Sequence, residues 1–137
     1  TAMLAIIITS VWKDIGFIMV LYLGGLQNIS VSLYEAADID GADKWHQFWK
    51  ITLPMLKQTT FFVSMISLIN SFQVFDQVNI MTAGGPGDAT TVLVQNIYNS
   101  AFKYSEMGYA AAMSWILFLI ILVVSVVQMW GERKLTK

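Results

Sequence analysis

The sequence has no cysteine, a single histidine and few charged residues among its 137 amino acids. Without cysteine it cannot form disulfide bonds or thiolate metal sites, so scaffolds built on either are excluded. Only 12% of the residues are charged, whereas 56% are hydrophobic, which leaves too little polar surface to enclose a soluble globule of this size. The net charge of -1 argues against nucleic-acid binding, which calls for a concentrated basic patch. The composition therefore predicts a membrane protein.

Three apolar stretches, residues 3–26, 54–81 and 107–130, are each long enough for a transmembrane helix. At 1.5 Å per residue they would form helices of about 35 to 42 Å, longer than a hydrocarbon core of about 30 Å. We therefore expect an all-α, polytopic membrane protein with about three transmembrane helices, in which residues 1–137 form a single transmembrane domain. Because the first stretch begins directly after Thr1 with no basic leader, we also expect the chain to be a piece of a longer one.

Basic residues are concentrated in the loop of residues 28–53, beside it, and in the C-terminal tail, whereas the loop of residues 82–106 carries one. Apart from Lys13 in the first stretch, they are, in order, Lys44, Lys50, Lys57, Lys103, Arg133, Lys134 and Lys137. By the positive-inside rule, the first loop and the C-terminus are expected to be cytoplasmic and the second loop external.

The first loop is too polar to lie in hydrocarbon, so it must be presented to water. Ser32 and Glu35 have the spacing of a capping box, which predicts the start of a helix. Gly41 supplies a turn in which φ can be positive, and Asp43 can cap a second short helix. The pattern predicts a helix, a glycine turn and a second helix.

Prolines and glycines mark further boundaries. Pro54 pushes the preceding Leu53 toward extended geometry, so a break is expected before the second span. In the external loop, residues 84–87 cannot continue a helix and predict a tight turn where another protein could dock. Residues 90–102 are expected to form a short amphipathic helix at the outer surface.

Three aromatic residues of the second loop helix, Trp45, Phe48 and Trp49, recur at helical spacing and form one apolar stripe. Such a stripe could anchor a protein partner, because aromatic side chains bury a large area at low entropic cost. It could equally lie against lipid headgroups or pack back on the other helices. His46 has no second ligand residue nearby and is interpreted as a surface residue, not a metal ligand.

Polar residues inside the predicted spans are candidates for solute contact. Lys13 and Asp14 fall near the middle of the first span, where burying a charge costs at least about 2.5 to 3.5 kcal/mol. They are expected to face a wet cavity, or else to mark a break between two shorter helices and pair with each other. A polar face of the second span comprises Ser64, Ser67, Asn70, Ser71 and Val74. Such a face can line a solute path or form hydrogen bonds between helices.

One motif in the first loop resembles the EAA motif of permease subunits in binding-protein-dependent ABC importers. The matching residues are Glu35, Ala36, Ala37, Gly41, Ile51, Leu53 and Pro54. Further residues resemble the carbohydrate branch of that family, namely Gly25–Gln27, Met81–Gly87, Ala101–Phe102 and Gly108–Ala112. The family usually has Ile-Pro where this chain has Ile29-Ser30, and Ser30 is an alternative start for the loop helix.

The resemblance implies the C-terminal half of a permease with the type I ABC importer fold, in a bacterial or archaeal cytoplasmic membrane. Its implied partners are a second permease subunit, two ATPase subunits, an extracytoplasmic solute-binding protein, membrane lipid and a carbohydrate solute, but no nucleic acid. Its implied mechanism is alternating access, driven through the EAA loop as a cytoplasmic coupling element. ATP and Mg would be bound by the partner ATPase, so no cofactor is expected in this chain, which lacks a G-x-x-x-x-G-K-[ST] sequence.

The same resemblance assigns roles to two sets of residues. The residues expected to contact the ATPase are Glu35, Ala36, Ala37, Asp40, Gly41, Trp45, Phe48 and Trp49. Those expected along the solute pathway are Lys13, Asp14, Phe17, Ser67, Asn70, Ser71 and Val74. Two alternatives from other classes are a membrane adaptor that moves no solute and a membrane-embedded enzyme that uses Lys13 and Asp14 as acid and base. We expect no catalytic residue and no metal ligand.

Overall fold

The computed structural model describes residues 2–135, with side chains as far as Glu132. Every regular element in this part of the chain is helical, so the expected all-α class is confirmed. The α-helices are α1 (Ala2–Gln27), α2 (Val31–Ile39), α3 (Lys44–Gln47), α4 (Leu53–Met55), α5 (Lys57–Phe72), α6 (Asp76–Met81), α7 (Leu93–Tyr98) and α8 (Met107–Leu135). Two π-helical segments, π1 (Phe48–Thr52) and π2 (Asn99–Lys103), follow α3 and α7.

Two helices, α1 and α8, are long and apolar enough to cross a membrane. The 26 residues of α1 span about 39 Å at 1.5 Å per residue, more than the hydrocarbon core. Most apolar side chains of both helices are exposed and not packed inside the protein. A core helix of a soluble protein would bury one face, so this exposure favours a lipid-facing role. Lys137, on which part of the orientation argument depends, lies outside the described residues.

The second predicted span, residues 54–81, is not one continuous helix, and this expectation was wrong. It is divided into α4, α5 and α6, with a turn residue at Leu56 and a non-helical stretch at 73–75. Near the end of α5 the hydroxyl of Ser71 donates to the carbonyl of Leu68 at 2.7 Å. Such a bond weakens or bends a helix, but it does not end α5 by itself, because Ser64 makes the same bond to the carbonyl of Phe61 inside the helix. The helix closes on a tighter bond, from the N–H of Gln73 to the carbonyl of Asn70 at 3.0 Å. The 16 residues of α5 span about 24 Å, less than a hydrocarbon core.

The break expected between Leu53 and Pro54 is also absent. Leu53 has helical angles, φ -64° and ψ -44°, and Pro54 lies in the first turn of α4. The wider π1 turn leads directly into this proline, and a π-type turn shifts the backbone bonds that a proline would otherwise interrupt. Leu56, with ψ -3°, is a turn residue between α4 and α5. Its N–H still donates to the carbonyl of Thr52 at 3.0 Å and its carbonyl accepts the N–H of Thr60 at 2.8 Å, so helical hydrogen bonding continues through it.

The described residues divide into two compact units. One, here called the loop unit, is Asp14–Ser64 and contains the end of α1, the first loop and the start of α5. Its small buried set is Ile29, Gln47, Leu56 and Val63. Inside this unit α1 and α5 approach closely at Gly25, because a Cβ atom there would lie 2.5 Å from Thr59 Oγ1. The hydroxyl of Tyr22 donates to Thr60 Oγ1 at 3.1 Å beside this contact.

The second unit, here called the flanking unit, consists of the described residues on either side of the loop unit. In it α7 and π2 pack on α8, and the buried residues include Val78, Thr90, Gln95 and Ala110. Residues 82–90 form turns, as predicted for the glycine-rich segment, and a short helix follows within residues 90–102. Thr90 is held inside these turns, since its hydroxyl donates to the carbonyl of Gly85 at 2.8 Å.

Candidate functional site

The first loop helix, α2, begins differently from the capping-box prediction. Its N-cap is Ser30 and not Ser32, and the Ser30 hydroxyl bonds to the Ser32 hydroxyl at 2.7 Å instead of capping the helix. Glu35 is therefore not part of a capping box, and that expectation was wrong. Within the described residues the Glu35 carboxylate makes no hydrogen bond and is exposed. An unpaired carboxylate on the loop surface is free to meet a partner.

The end of α2 explains the glycine of the motif. Gly41 has φ +75° and occupies the position after the C-cap, where the left-handed conformation favours glycine. Its N–H donates to the carbonyl of Asp38 at 3.1 Å, and the N–H of Ala42 donates to the carbonyl of Ala37 at 2.9 Å. These two bonds form a Schellman cap. The predicted glycine turn is confirmed, and Ala37 of the motif supplies one of its acceptors.

The second loop helix starts as predicted. Asp43 is the N-cap of α3, and its carboxylate accepts the N–H of His46 at 2.9 Å. A carboxylate at this position satisfies a backbone donor that the helix itself leaves free. The two caps thus set the directions of α2 and α3 on either side of Ala42.

A buried amide holds the two loop helices together. The side chain of Gln47 is 3% exposed, and its Nε2 donates both to Asp38 Oδ1 and to the carbonyl of Ala42. Lys44 Nζ approaches Asp38 Oδ1 at 3.1 Å and donates to Gln47 Oε1 at 3.3 Å. The amide of Gln47 and, after it, the ammonium of Lys44 hold the pKa of the Asp38 carboxyl below its usual value. Because the ion pair is exposed, the buried amide contributes more of the constraint.

A second contact joins the base of the loop. The hydroxyl of Tyr34 on α2 and Thr52 Oγ1 at the end of π1 lie 2.8 Å apart, and the pair is partly buried. The loop is therefore fastened at its tip by Gln47 and at its base by Tyr34.

The predicted aromatic stripe is present as one cluster. The ring centroids of Trp45 and Phe48 are 6.2 Å apart, those of Trp45 and Trp49 are 5.9 Å apart, and those of Phe48 and Trp49 are 5.7 Å apart. All three remain exposed, with Trp45 at 68%, Trp49 at 50% and Phe48 at 43%. The rings pack on one another and leave their outer faces uncovered, which suits an interface anchor.

The turn between the helices forms a shallow cleft. It is lined by Ala37, Asp40, Gly41, Ala42, Asp43 and His46. Ala36 and Asp40 are exposed, and Ala37 is half-buried. The residues that the resemblance assigns to ATPase contact therefore lie on the caps, turn and aromatic face of one helix-turn-helix.

The residues assigned to the solute pathway are distributed between the two units. Asp14 and Phe17 belong to the loop unit, whereas Lys13, Ser67, Asn70, Ser71 and Val74 belong to the flanking unit. Asp14, Ser67 and Val74 are half-buried and the other four are exposed.

Two details of these pathway residues differ from the sequence expectations. Val74 lies in the break after α5, so the polar face does not continue through it as one helix. α1 runs unbroken past Lys13 and Asp14, and no ion pair joins these two side chains in the described part of the chain. The alternative of two shorter helices with a paired Lys13 and Asp14 is therefore not supported.

Sequence reasoning missed the residues that fasten the loop. Gln47 was a polar residue between aromatics with no motif around it, and Tyr34 and Thr52 are separated by 18 positions. Neither spacing nor periodicity signals a contact across a turn whose geometry is unknown. Among the residues that the structure describes, no group of three or more His, Asp or Glu could hold a metal ion.

Comparisons with known proteins agree with the motif. The sequence profile of the family described as "Binding-protein-dependent transport system inner membrane component" matches residues 1–137. The chain is 43% identical over 129 residues to the probable ABC transporter permease protein YurN of Bacillus subtilis, covering 94% of this chain and 44% of the relative. It is also 39% identical over 134 residues to the probable starch degradation products transport system permease protein AmyD of Thermoanaerobacterium thermosulfurigenes. That match covers 98% of this chain and 46% of the relative.

A third relative is the multiple sugar-binding transport system permease protein MsmF of Streptococcus mutans. It is 41% identical over 133 residues, covering 97% of this chain and 46% of the relative. The chain spans about half the length of these curated relatives.

Proposed function

Because the chain belongs to the family of binding-protein-dependent transport system inner membrane components, we propose that it is part of a permease subunit of an ATP-binding-cassette importer. In this proposal it helps to move a sugar or a related polar solute into the cytoplasm. The names of the relatives, which describe permeases for transport and not enzymes, support this role and give no support to the enzyme alternative.

The observation that carries the proposal is the fastened helix-turn-helix of the first loop. Its aromatic cluster and the Glu35 carboxylate have no covering partner within the described residues. Ring pairs that are fixed by their neighbours before binding lose little conformational freedom on docking, which strengthens an interface. We assign this surface to contact with a separate ATPase subunit.

The proposed mechanism couples ATP hydrolysis to solute movement through this surface. Closure of the ATPase subunits on ATP would displace the loop, and the loop unit would pass that displacement to α1 and α5. The membrane helices would then alternate between outward-facing and inward-facing states. ATP and Mg bind to the ATPase in this scheme, and the permease residues supply only contact and movement.

The proposed assembly has a second permease subunit, two ATPase subunits and an external solute-binding protein. The loop and the C-terminus lie on the cytoplasmic side, as the distribution of basic residues favours. The family description supports a cytoplasmic-membrane location for the chain. The turns of residues 82–90 lie on the opposite, external side in this orientation.

The proposed solute is a carbohydrate, and its contacts are side chains of α1 and α5. Amide and hydroxyl groups of Asn70, Ser67 and Ser71 match the hydroxyl groups of a sugar as donors and acceptors. Lys13 and Asp14 offer either charge complementarity or paired hydrogen bonds. Phe17, which is exposed, can pack on an apolar face of the solute.

The first experiment tests the aromatic cluster. Replacing Trp45 with alanine is expected to weaken ATPase binding about tenfold to thirtyfold, because it removes a central aromatic anchor. The measurement is the dissociation constant of the purified permease pair for its ATPase in lipid nanodiscs. Trp130→Ala is the matched control, because Trp130 is 72% exposed and lies outside the loop. Equal losses in both variants, or no loss at Trp45, would contradict the proposed surface.

The second experiment tests the solute contacts. Replacing Asn70 with alanine is expected to reduce uptake of one sugar severalfold while ATPase binding is unchanged, because the amide offers both a donor and an acceptor. The measurement is uptake of a panel of radiolabelled oligosaccharides into vesicles that contain the whole importer. A uniform fall for every sugar would point to a packing role, and unaltered uptake would remove Asn70 from the pathway.

A further inference from the structure

Three side-chain contacts cross-link the loop unit from its tip to its base. Counted from the tip, they join Gln47 to Asp38, Tyr34 to Thr52 and Tyr22 to Thr60. Their sequence separations are 9, 18 and 38 residues, so each contact encloses the one before it. The two arms of the loop are thus tied at successive levels, with the Gly41 turn at one end.

The arm that leads from the loop to α5 is an almost continuous helical run that contains a π-helical segment and a proline. After α3 the chain passes through π1, the three-residue α4 and the turn residue Leu56 before α5 begins. π-type turns and proline are the usual sites where a helix bends, and both occur in this short stretch. If the loop tip were connected to α5 only through this backbone, a displacement of the tip would bend the stretch and would not move α5.

The bond between Tyr34 and Thr52 bypasses this stretch. Tyr34 is near the middle of α2, which is a regular helix of nine residues, and Thr52 is the last residue of π1. The 2.8 Å contact between their hydroxyls therefore fixes the far end of π1 directly to α2. Because the pair is partly buried, water competes less for these hydroxyl groups than it does at an exposed pair.

We infer that Tyr34 and Thr52 are positioning residues for energy coupling, which make the first loop and the start of α5 move as one body. The inference rests on the proposed function. It assigns to these hydroxyls the transmission of movement to α5, whereas the motif and the aromatic cluster serve to bind the ATPase. Without the bond, the ATPase would still bind and hydrolyse ATP. Part of each loop displacement would then be lost in π1.

The test compares solute uptake with ATP hydrolysis in vesicles that contain the whole importer. Tyr34→Phe and Thr52→Val each remove one hydroxyl with little change in shape. Each is expected to lower the sugar molecules taken up per ATP hydrolysed by about twofold to tenfold, the range that corresponds to one hydrogen bond. The double variant is expected to be no worse than either single variant, because the second change removes a bond already lost.

Two controls separate coupling from simple destabilisation. Thr52→Ser keeps the hydroxyl and is expected to retain the normal ratio. Tyr109→Phe removes a tyrosine hydroxyl that makes no hydrogen bond in the described residues, and it should also leave the ratio unchanged. If Tyr34→Phe does not assemble, the ratio of sugar uptake to ATP hydrolysis in Thr52→Val, compared with that in Thr52→Ser, is by itself the test.

The possible outcomes distinguish this inference from the function on which it rests. A normal ratio in Thr52→Val, with uptake intact, overturns the positioning role and leaves the proposed function standing. Equal falls in uptake and in ATPase binding for both threonine variants indicate a structural role and also overturn it. An unmodified permease pair that binds no ATPase subunit refutes the proposed function and this inference with it.

Discussion

Replacing Glu35 with alanine and Gly41 with valine in one chain is expected to abolish binding of the ATPase subunit. The first change removes an exposed carboxylate that has no partner within the described residues. The second destroys the turn that sets the direction of α3 relative to α2. The measurement is recovery of the ATPase with the affinity-purified permease pair, followed by uptake of labelled sugar.

The effect of the glycine change comes from backbone conformation alone. Gly41 has φ +75°, and a Cβ atom there would meet nothing within 4 Å. An L-residue in the left-handed region costs about 1 to 2 kcal/mol, and a β-branched residue costs more. Valine therefore forces the turn to open, and the Schellman bonds to Asp38 and Ala37 are lost.

Gly41→Asn is the control for this prediction, because asparagine tolerates the left-handed conformation better than other non-glycine residues. It is expected to retain most ATPase binding, whereas Gly41→Val with Glu35 intact should lose most of it. Undiminished recovery of the ATPase with the double variant would refute the assignment of this loop to ATPase contact.

Replacing Gly25 with valine is expected to give the largest loss of stability in the loop unit. A Cβ atom at Gly25 would lie 2.5 Å from Thr59 Oγ1, and 3.0 Å from both Thr59 Cγ2 and Leu56 Cδ2. Overpacking of this kind costs about 1 to 3 kcal/mol, and the two extra methyl groups of valine place it at the upper end. The measurement is thermal unfolding in detergent, followed by the helical circular dichroism signal.

Gly24 offers a matched control for this second prediction. It is the neighbouring glycine of the same helix, and a Cβ atom there would meet nothing within 4 Å. Gly24→Val should therefore leave the unfolding temperature near that of the unmodified chain. A second check uses Gly25→Ala, whose Cβ atom meets the Thr59 side chain. Adding Thr59→Ala to that variant removes the clashing atoms and should restore much of the lost stability. Similar losses at Gly24 and Gly25 would mean that the close approach of α1 and α5 does not govern the stability of this unit.

Local sequence alone determined the membrane class and the helix-turn-helix of the first loop. Length, hydropathy and charge predict membrane helices because the bilayer excludes unpaired backbone groups, whatever the rest of the fold. The Gly41 turn, the Asp43 cap and the stripe of Trp45, Phe48 and Trp49 depend only on neighbours within one or two helical turns. All of these features are present in the structure.

Competition between nearby donors and acceptors decided several boundaries that the sequence left ambiguous. Ser30 and Ser32 both offered a hydroxyl at the start of α2, and the observed N-cap is Ser30, with neither hydroxyl bonded to a backbone N–H of the helix. π1 accommodated Pro54 without the expected break, and the second span ended early beside Ser71. Each outcome depends on which of two similar hydrogen-bonding arrangements the surrounding chain permits.

The contacts that fasten the loop were decided only by the tertiary structure. Gln47 reaches Asp38, Tyr34 reaches Thr52 and Gly25 meets Thr59, yet none of these pairs is marked by periodicity or a motif. Residues so far apart in sequence come together only once the directions of α1, α2 and α5 are set. Short-range interactions therefore specified the helix-turn-helix of the loop, and contacts between its two arms specified how rigidly that helix-turn-helix is held.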